Sequence, residues 1–351
     1  MAGIVHLYSD PVDFQTCRSI DLLTSVGLGT GRSLGVSDGV RVLQFTRDVR
    51  IVRNLIPSPS SIHAWGTRAL VTAVAGFSGT IYYSPDGACG RSVIQFVRAV
   101  SRVRDIRVIC PSQTLHRLHV QSGLSPDRCS VVYPGVDFAR IHRRRDRALR
   151  QSLGFSESDV VIFCPGEATR SAAFDRSVWA GAILHRLDEK YRLLITGQGP
   201  TASACLAFGR GLKVPMLVTN PQEKLGGKVE LETLLSACDM VLTTPAGVCP
   251  TLPLLTCMAA GLPVVSTVTY TGSEILEDRH NALLVGKPTP RLIARRVLDV
   301  LEDPHLQYRI ADAARADVYE HFSKSRFIEG MSAIYNQTDI TAVASGAHHS
   351  R

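Results

Sequence analysis

The sequence predicts an α/β protein made of two parallel-sheet domains. Three observations carry this. The chain has 351 residues, enough for two domains of ordinary size, each with its own core. Hydrophobic residues make up 45% and charged residues 20%, which is neither a disordered nor a fibrous composition. Apolar runs of about five residues alternate with helical stretches and short turns, the pattern of βαβ units and therefore of a parallel sheet.

The elements follow in order. IVHLY (4–8) is a first strand and Phe14–Ser25 a helix, followed by a glycine-rich turn, GLGTGRSLG (27–35). VRVLQF (40–45) reads as a strand or as the start of a helix. SIHAWG (61–66) ends a strand, TRALVTAVAG is a helix of small residues, and TIYYS (80–84) is a strand opening into a Pro-Asp-Gly turn. Ser92–Val103 has helical periodicity. IRVICPS (106–112) is a strand, TLHRLHVQSG a helix closed by Gly123, and CSVVYPGVD (129–137) a last strand. The second half repeats the scheme with strands at 160–166, 191–199, 214–219, 239–245, 262–267 and 281–285. Helices are expected at Phe174–Leu187, Leu231–Cys238, Leu252–Ala260, Thr289–Leu301 and Pro304–Phe322. Gly261 suits a left-handed C-cap. The expected domains are 1–150 and 151–322. A helix over 323–338 packs back on the first domain, and a small, polar, disordered tail occupies 339–351.

Charge is uneven. Residues 1–150 hold 20 Arg, no Lys, 10 Asp and no Glu, a net +10, whereas residues 151–351 sum to −2. Arg140, Arg143, Arg144, Arg145, Arg147 and Arg150 form one basic run, with Arg98, Arg102, Arg104 and Arg107 before it. Such clusters either attract anionic lipid or an acidic substrate, or are a solvated face. No nucleic-acid motif accompanies them, so no nucleic-acid partner is expected. The nine cysteines are scattered, with no CxxC pair, and read as reduced core thiols rather than a zinc site. MAGIVHLYSD reads as a strand, not a secretory signal. With no apolar run of about 18 residues to span a bilayer, the expectation is a cytoplasmic protein, peripheral at most at the inner membrane face.

Several blocks carry a resemblance. VVYPGVDFARI (131–141), GQGP (197–200), LETLLSACDMVLTTP (231–245), LPLLTCMAAGLPVVST (252–267) and GSEILEDRHNALLV (272–285) occur in this order. Together they resemble family 4 glycosyltransferases (glycosyl transferases group 1). The resemblance implies the GT-B fold, two Rossmann-like parallel-sheet domains facing a cleft. It implies transfer of a sugar from a nucleotide-sugar donor to an unidentified acceptor with retention of configuration, without a cofactor or metal. The family's charged site residues are not matched. Val248 and Thr256 stand where two glutamates are expected. Glu167 and Ala172 stand where an Arg and a Lys neutralise the donor diphosphate, and Asp86 stands where a histidine is expected. Fixed cations and dipoles at a developing anion supply much of such catalysis. The alternative is therefore an inactive GT-B protein that binds a nucleotide sugar or a partner enzyme.

The donor-side residues implied by the resemblance are Arg170, Gly197, Gly199, Val248, Thr251, Leu252 and Thr256. The start of the helix at Leu252 offers a partial positive charge to phosphate. On the acceptor side stand His63 and Asp86: His63 is either a ligand contact or a polar residue packed beside Trp65, and Asp86 is either a proton acceptor, a sugar ligand or an ordinary turn residue. Gly29 and Gly31 belong either to a phosphate cradle or to a plain loop. Glu274 reads as a helix-start acid.

Overall fold

The computed structural model describes residues 4–10, 13–36, 41–55, 61–85, 90–142, 144–196, 198–214, 217–227 and 229–346. The chain divides into two compact units, Met1–Gly135 with Lys324–Arg351, and Val136–Ser323.

The first unit runs β1 (Ile4–Asp10), α1 (Phe14–Ser25), β2 (Thr30–Val36), α2 (Arg41–Arg53), β3 (Ser61–Trp65), α3 (Thr67–Gly76), β4 (Thr80–Ser84), α4 (Arg91–Val100), β5 (Ile106–Cys110), α5 (Gln113–Gln121) and β6 (Cys129–Val131). Its sheet has the order β2-β1-β3-β4-β5-β6 with parallel pairing throughout. Strand β3 is buried at every residue, as expected when helices cover both faces of a parallel sheet. Local signals set the helix starts: Asp13 accepts from the Thr16 N–H and Ser112 from that of Leu115, each such cap contributing about 1 kcal/mol.

The second unit runs α6 (Arg147–Ser152), β7 (Val160–Cys164), α7 (Phe174–Leu187), β8 (Tyr191–Ile195), α8 (Ala202–Gly211), β9 (Val218–Thr219), α9 (Pro221–Leu225), α10 (Leu231–Leu234), β10 (Met240–Thr243), α11 (Leu252–Ala259), β11 (Val264–Thr267), β12 (Leu283–Val285), α12 (Pro290–Leu301) and α13 (Pro304–His321). Its parallel sheet has the order β12-β11-β10-β7-β8-β9. The reversal of strand order beside β7 is where ligands collect in open α/β sheets. The last helix, α14 (Lys324–Gly346), returns to the first unit. Phe327, Met331 and Tyr335 recur every four residues on one face and join Leu23, Trp65 and Tyr82 in its core.

Two sequence expectations change. The glycine-rich segment 27–35 is not a turn throughout: from Thr30 it is strand β2, paired with β1. Its glycines serve packing. A Cβ on Gly29 would stand 2.7 Å from the His6 ring, and one on Gly31 would press on Tyr8 at 3.4 Å. The segment 339–346, expected to be disordered, continues α14. The run 41–45 resolves to helix.

The arginine run also changes meaning. Arg140 to Arg150 fall in the second unit, and most of them are paired there. Arg140 meets Glu230 and Glu232, Arg145 meets Asp239, and Arg147 meets Glu157. Arg150 is 2% exposed. It donates to the Ala237 and Asp159 carbonyls at 2.7 and 2.6 Å and to Asp239 at 3.0 Å. Asp239 in turn accepts from the Val161 N–H at 2.7 Å, so this one guanidinium ties α6 to the starts of β7 and β10. Breaking a buried pair by removing one partner costs roughly 3–5 kcal/mol. Arg150→Ala is expected to lower the stability of the second unit by that amount, measured by urea unfolding; a loss under about 1 kcal/mol would contradict the role given to this residue.

The first unit's core contains two histidines. His6 bonds the Leu28 carbonyl at 2.7 Å and accepts from Trp65 at 3.2 Å. His63 stacks on Trp65 and bonds the Tyr335 hydroxyl at 2.6 Å and Ser84 at 2.9 Å. Burial pushes His6 down from 6.5 to about 4, and pushes His63 well below 6.5 with the neighbouring His6 adding to the effect. Below pH 6.5 the unfolded chain takes up protons that the folded core refuses. Stability is therefore full above about pH 6.5 and is lost as the pH falls toward 4, by roughly 3 kcal/mol from His6 alone. Trp65 fluorescence in a Trp179→Phe background reads this directly: the urea midpoint is expected to be lower at pH ~5 than at pH ~7.5. Equal midpoints would mean that neither ring is held neutral.

Candidate functional site

Three loops at the C-terminal ends of β7, β8 and β10 are locked together. The Ala168 N–H donates to the Gln198 carbonyl at 2.8 Å, and the Ala168 carbonyl accepts from the Thr201 N–H and hydroxyl at 2.9 and 2.7 Å. Thr196 donates to the Gly166 carbonyl at 2.8 Å. Gly199 makes this approach possible. Its φ is +102°, and a Cβ there would stand 2.6 Å from the Ala168 oxygen. The loop after β7 then reaches the segment after β10, where the Ala246 N–H donates to the Ser171 carbonyl at 2.7 Å.

A second brace is made of hydroxyls. Thr244 donates to the Ala173 carbonyl at 2.9 Å and bonds Ser177 at 2.8 Å, fixing the entry to α7. Thr243 donates to Ser266 at 2.8 Å, and Thr267 donates to the Pro245 carbonyl at 2.9 Å, fastening β11 to β10. Small hydroxyl side chains satisfy one another in a buried place where a charge would need a partner.

These loops and the start of α11 enclose a cavity lined by residues including Pro165, Phe174, Thr243, Thr251, Thr269 and Thr271. Among the described residues no lining residue is charged. Helix α11 begins at its wall, with Pro253 in the first turn, where a missing N–H costs nothing. Its positive end adjoins the cavity. At its other end Arg315 donates to the Ala259 carbonyl, a cation at the negative end of the helix. Thr271 is buried, and its hydroxyl has no hydrogen-bond partner among the described residues.

The residues expected at a donor site fall around this cavity in different ways. Thr251 lines it. Thr256 is buried within α11, its hydroxyl donating to the Leu252 carbonyl at 2.7 Å, and neither Thr256, Leu252 nor Val248 is among the lining residues. Gly199 acts one layer back, by letting the loops close. Arg170 is exposed on the loop whose Pro165 and Ala172 line the cavity, and its guanidinium makes no hydrogen bond or ion pair among the described residues. Gly197 and Asp86 lie outside the described residues. His63 is corrected: it is fully buried and both ring nitrogens are bonded within the core, so it offers nothing to an acceptor. Gly29 sits tight against the His6 ring and Gly31 lies within β2, and neither is among the residues lining this cavity.

Motif reading missed Phe174, Thr243, Thr269 and Thr271. The signal that finds them is positional: Thr243 ends β10, Thr269 and Thr271 follow β11, and Phe174 opens the helix that follows β7. Among the described residues no cluster of His, Cys, Asp and Glu could hold a metal ion, and no helix is long and apolar enough to cross a membrane.

Comparison with known proteins gives this geometry a family context. Residues 145–317 match the family described as Glycosyl transferases group 1. The N-acetyl-alpha-D-glucosaminyl L-malate synthase of Bacillus anthracis is 26% identical over 207 residues, covering 58% of this chain and 52% of that enzyme. The chain thus spans about half the length of the curated relatives it matches. Anabaena Alr3699/HepE, solved with UDP and glucose, superposes with a TM-score of 0.79 at 15% identity, over 96% of this chain and all of that one. Sucrose-phosphate synthase from Thermosynechococcus elongatus gives 0.78 at 13% identity, over 97% of this chain and 100% of its own. At these identities the two structures show a shared fold.

The loop interlock has a direct test. Gly199→Ala forces a side chain into a left-handed conformation and onto the Ala168 backbone, and is expected to destabilise the second unit by roughly 2 kcal/mol or more. Thermal unfolding measures it, and an unchanged midpoint would show that the loops are not held by this approach.

Proposed function

We propose that this chain, a GT-B protein carrying a group 1 glycosyl transferase segment, transfers a sugar from a nucleotide-sugar donor to an acceptor hydroxyl. The observation that carries the reading is the uncharged, mainly apolar cavity beyond β7, β10 and β11, with several threonine hydroxyls in its lining and the start of α11 in its wall. Its uncharged lining suits the uncharged parts of a donor, the base or the sugar. The diphosphate would sit at the positive end of α11, with Arg170, exposed on the loop that lines the cavity, supplying a cation. In the reaction the bond from the anomeric carbon to the departing phosphate oxygen breaks, and a bond to the acceptor oxygen forms. The electron pair leaves with the diphosphate, and the acceptor proton passes to a departing phosphate oxygen. Stabilising that developing charge is the task of the helix dipole and Arg170. Retention of configuration follows the family resemblance, and we assign an anionic acceptor to the arginine-rich first unit.

One observation favours a second reading. Thr256 spends its hydroxyl on its own helix, and Val248 offers no polar group. With both expected glutamates missing, the site is also what a binding protein without turnover would retain.

Calorimetric titration with UDP, GDP and ADP separates these outcomes from a wrong assignment of the cavity. Binding of one diphosphate is expected, and Arg170→Ala should weaken it by roughly ten- to a hundredfold, the worth of one charge-assisted hydrogen bond. No binding to any of the three removes the donor-site assignment. Binding without donor hydrolysis or transfer selects the non-catalytic reading.

A further inference from the structure

The arginines on and around α4 and α5 separate into two groups. Arg104 donates to the Val74 carbonyl, Arg107 pairs with Asp105, and Arg128 donates to the Ser101 and Arg104 carbonyls beyond α4. These are structural. Arg91, Arg98, Arg102 and Arg117 are exposed, and none of their guanidinium groups makes a hydrogen bond or ion pair among the described residues.

Three of the four form a line. Arg91 and Arg98 stand seven residues apart on α4, and Arg102 follows four later in the turn that continues the helix. At 3.6 residues per turn they fall within about 40° of arc. The core-facing side, through Ile94 and Val97, lies about 90° round the helix from this line. Neither α4 nor α5 contains an acidic residue. Of the nearby acids, Asp105 is held by Arg107 and Thr80, and Asp127 is exposed beyond α5. Helices α4 and α5 follow successive parallel strands and run the same way, with the Arg98 guanidinium against Gly123 just past α5. Their C-terminal ends therefore emerge together, carrying Val103, 79% exposed, and Leu118, 37% exposed.

We propose that this α4–α5 surface docks the first unit on a bilayer containing anionic lipid. The cationic stripe complements the headgroup charge, while Val103 and Leu118 reach the interfacial region beside it. Nucleic acid is disfavoured by the same surface. The exposed large hydrophobic residues described in this unit are Val26, Val103 and Leu118, none of them aromatic, so no platform stacks a base. The proposal stands apart from the donor-site reading: it concerns a different unit, and its readout needs no nucleotide.

Sedimentation of the full chain with vesicles provides the test. Binding is expected to phosphatidylcholine vesicles containing phosphatidylglycerol, weak or none to phosphatidylcholine alone, and to fall steeply with added salt. Each arginine near an anionic surface contributes about fivefold, so Arg91→Glu/Arg98→Glu/Arg102→Glu should bind at least about a hundredfold more weakly. Arg291→Glu/Arg309→Glu, on exposed positions of the second unit, should bind as the parent chain does. Should the triple variant fail to fold by circular dichroism, Arg102→Gln alone is expected to lose about fivefold. Equal binding to both vesicle types overturns the proposal. So does wild-type binding by a folded triple variant, or by Arg102→Gln. Arginine-dependent retention of single-stranded RNA without vesicle binding would assign the stripe to nucleic acid instead and overturn it equally.

Discussion

At Gly199 the backbone passes so close to Ala168 that a Cβ would stand 2.6 Å from the Ala168 oxygen. That approach lets the loop after β8 close on the loop after β7 through three backbone and hydroxyl hydrogen bonds. The loop after β7 then holds Ser171 where Ala246 donates to it, and through Ala173 and Thr244 sets the entry to α7. Pro165, Ala172 and Phe174 reach the cavity only because this loop is held. A side chain at position 199 would separate the loops, and the cavity wall with them. The cavity is thus a consequence of backbone packing before it is a matter of side-chain chemistry.

The site's neutrality is compatible with its burial. A cation or carboxylate among the packed hydroxyls of Thr243, Thr244, Ser266 and Thr267 would need a partner that the surrounding strands do not provide, and an unpaired charge there is expensive. Instead Thr243 donates to Ser266, and Thr244 and Thr267 donate to the Ala173 and Pro245 carbonyls. Charge is confined to the margin, in Arg170 and in the dipole of α11, where solvent shares the cost. The buried charged residues described in the second unit, Arg150, Asp159 and Glu232, are each paired, and Arg150 is also bonded to three carbonyls.

Much of the fold was legible because it is written in local periodicity. Phe174–Leu187 and Thr67–Gly76 end where the sequence places them. Gly261 takes the left-handed conformation its position after α11 suggests, with φ +78°. The glycine-rich segment 27–35 misled, because glycines that permit a turn also permit two strands to approach, and only the position of the His6 ring distinguishes these uses. His63 misled in a similar way. A histidine at a strand end reads as a ligand for substrate, but its partner Tyr335 lies 272 residues away and comes from a helix that returns to the first unit. The basic run at 140–150 read as a free patch because its acids, Glu157, Glu230, Glu232 and Asp239, are remote in sequence or in sign pattern.

By itself the sequence determined the two parallel sheets, most helix boundaries and the ordered blocks that resemble family 4 glycosyltransferases. These are properties of single residues and short spacings, which steric and hydrophobic rules translate without knowledge of the rest of the chain. Only the tertiary structure decided which arginines are free and which are bound, whether His63 faces ligand or core, and which hydroxyls surround the cavity. Each of those depends on a partner brought close by the sheet from a distant part of the chain, and the sequence carries no local mark of where such a partner will stand.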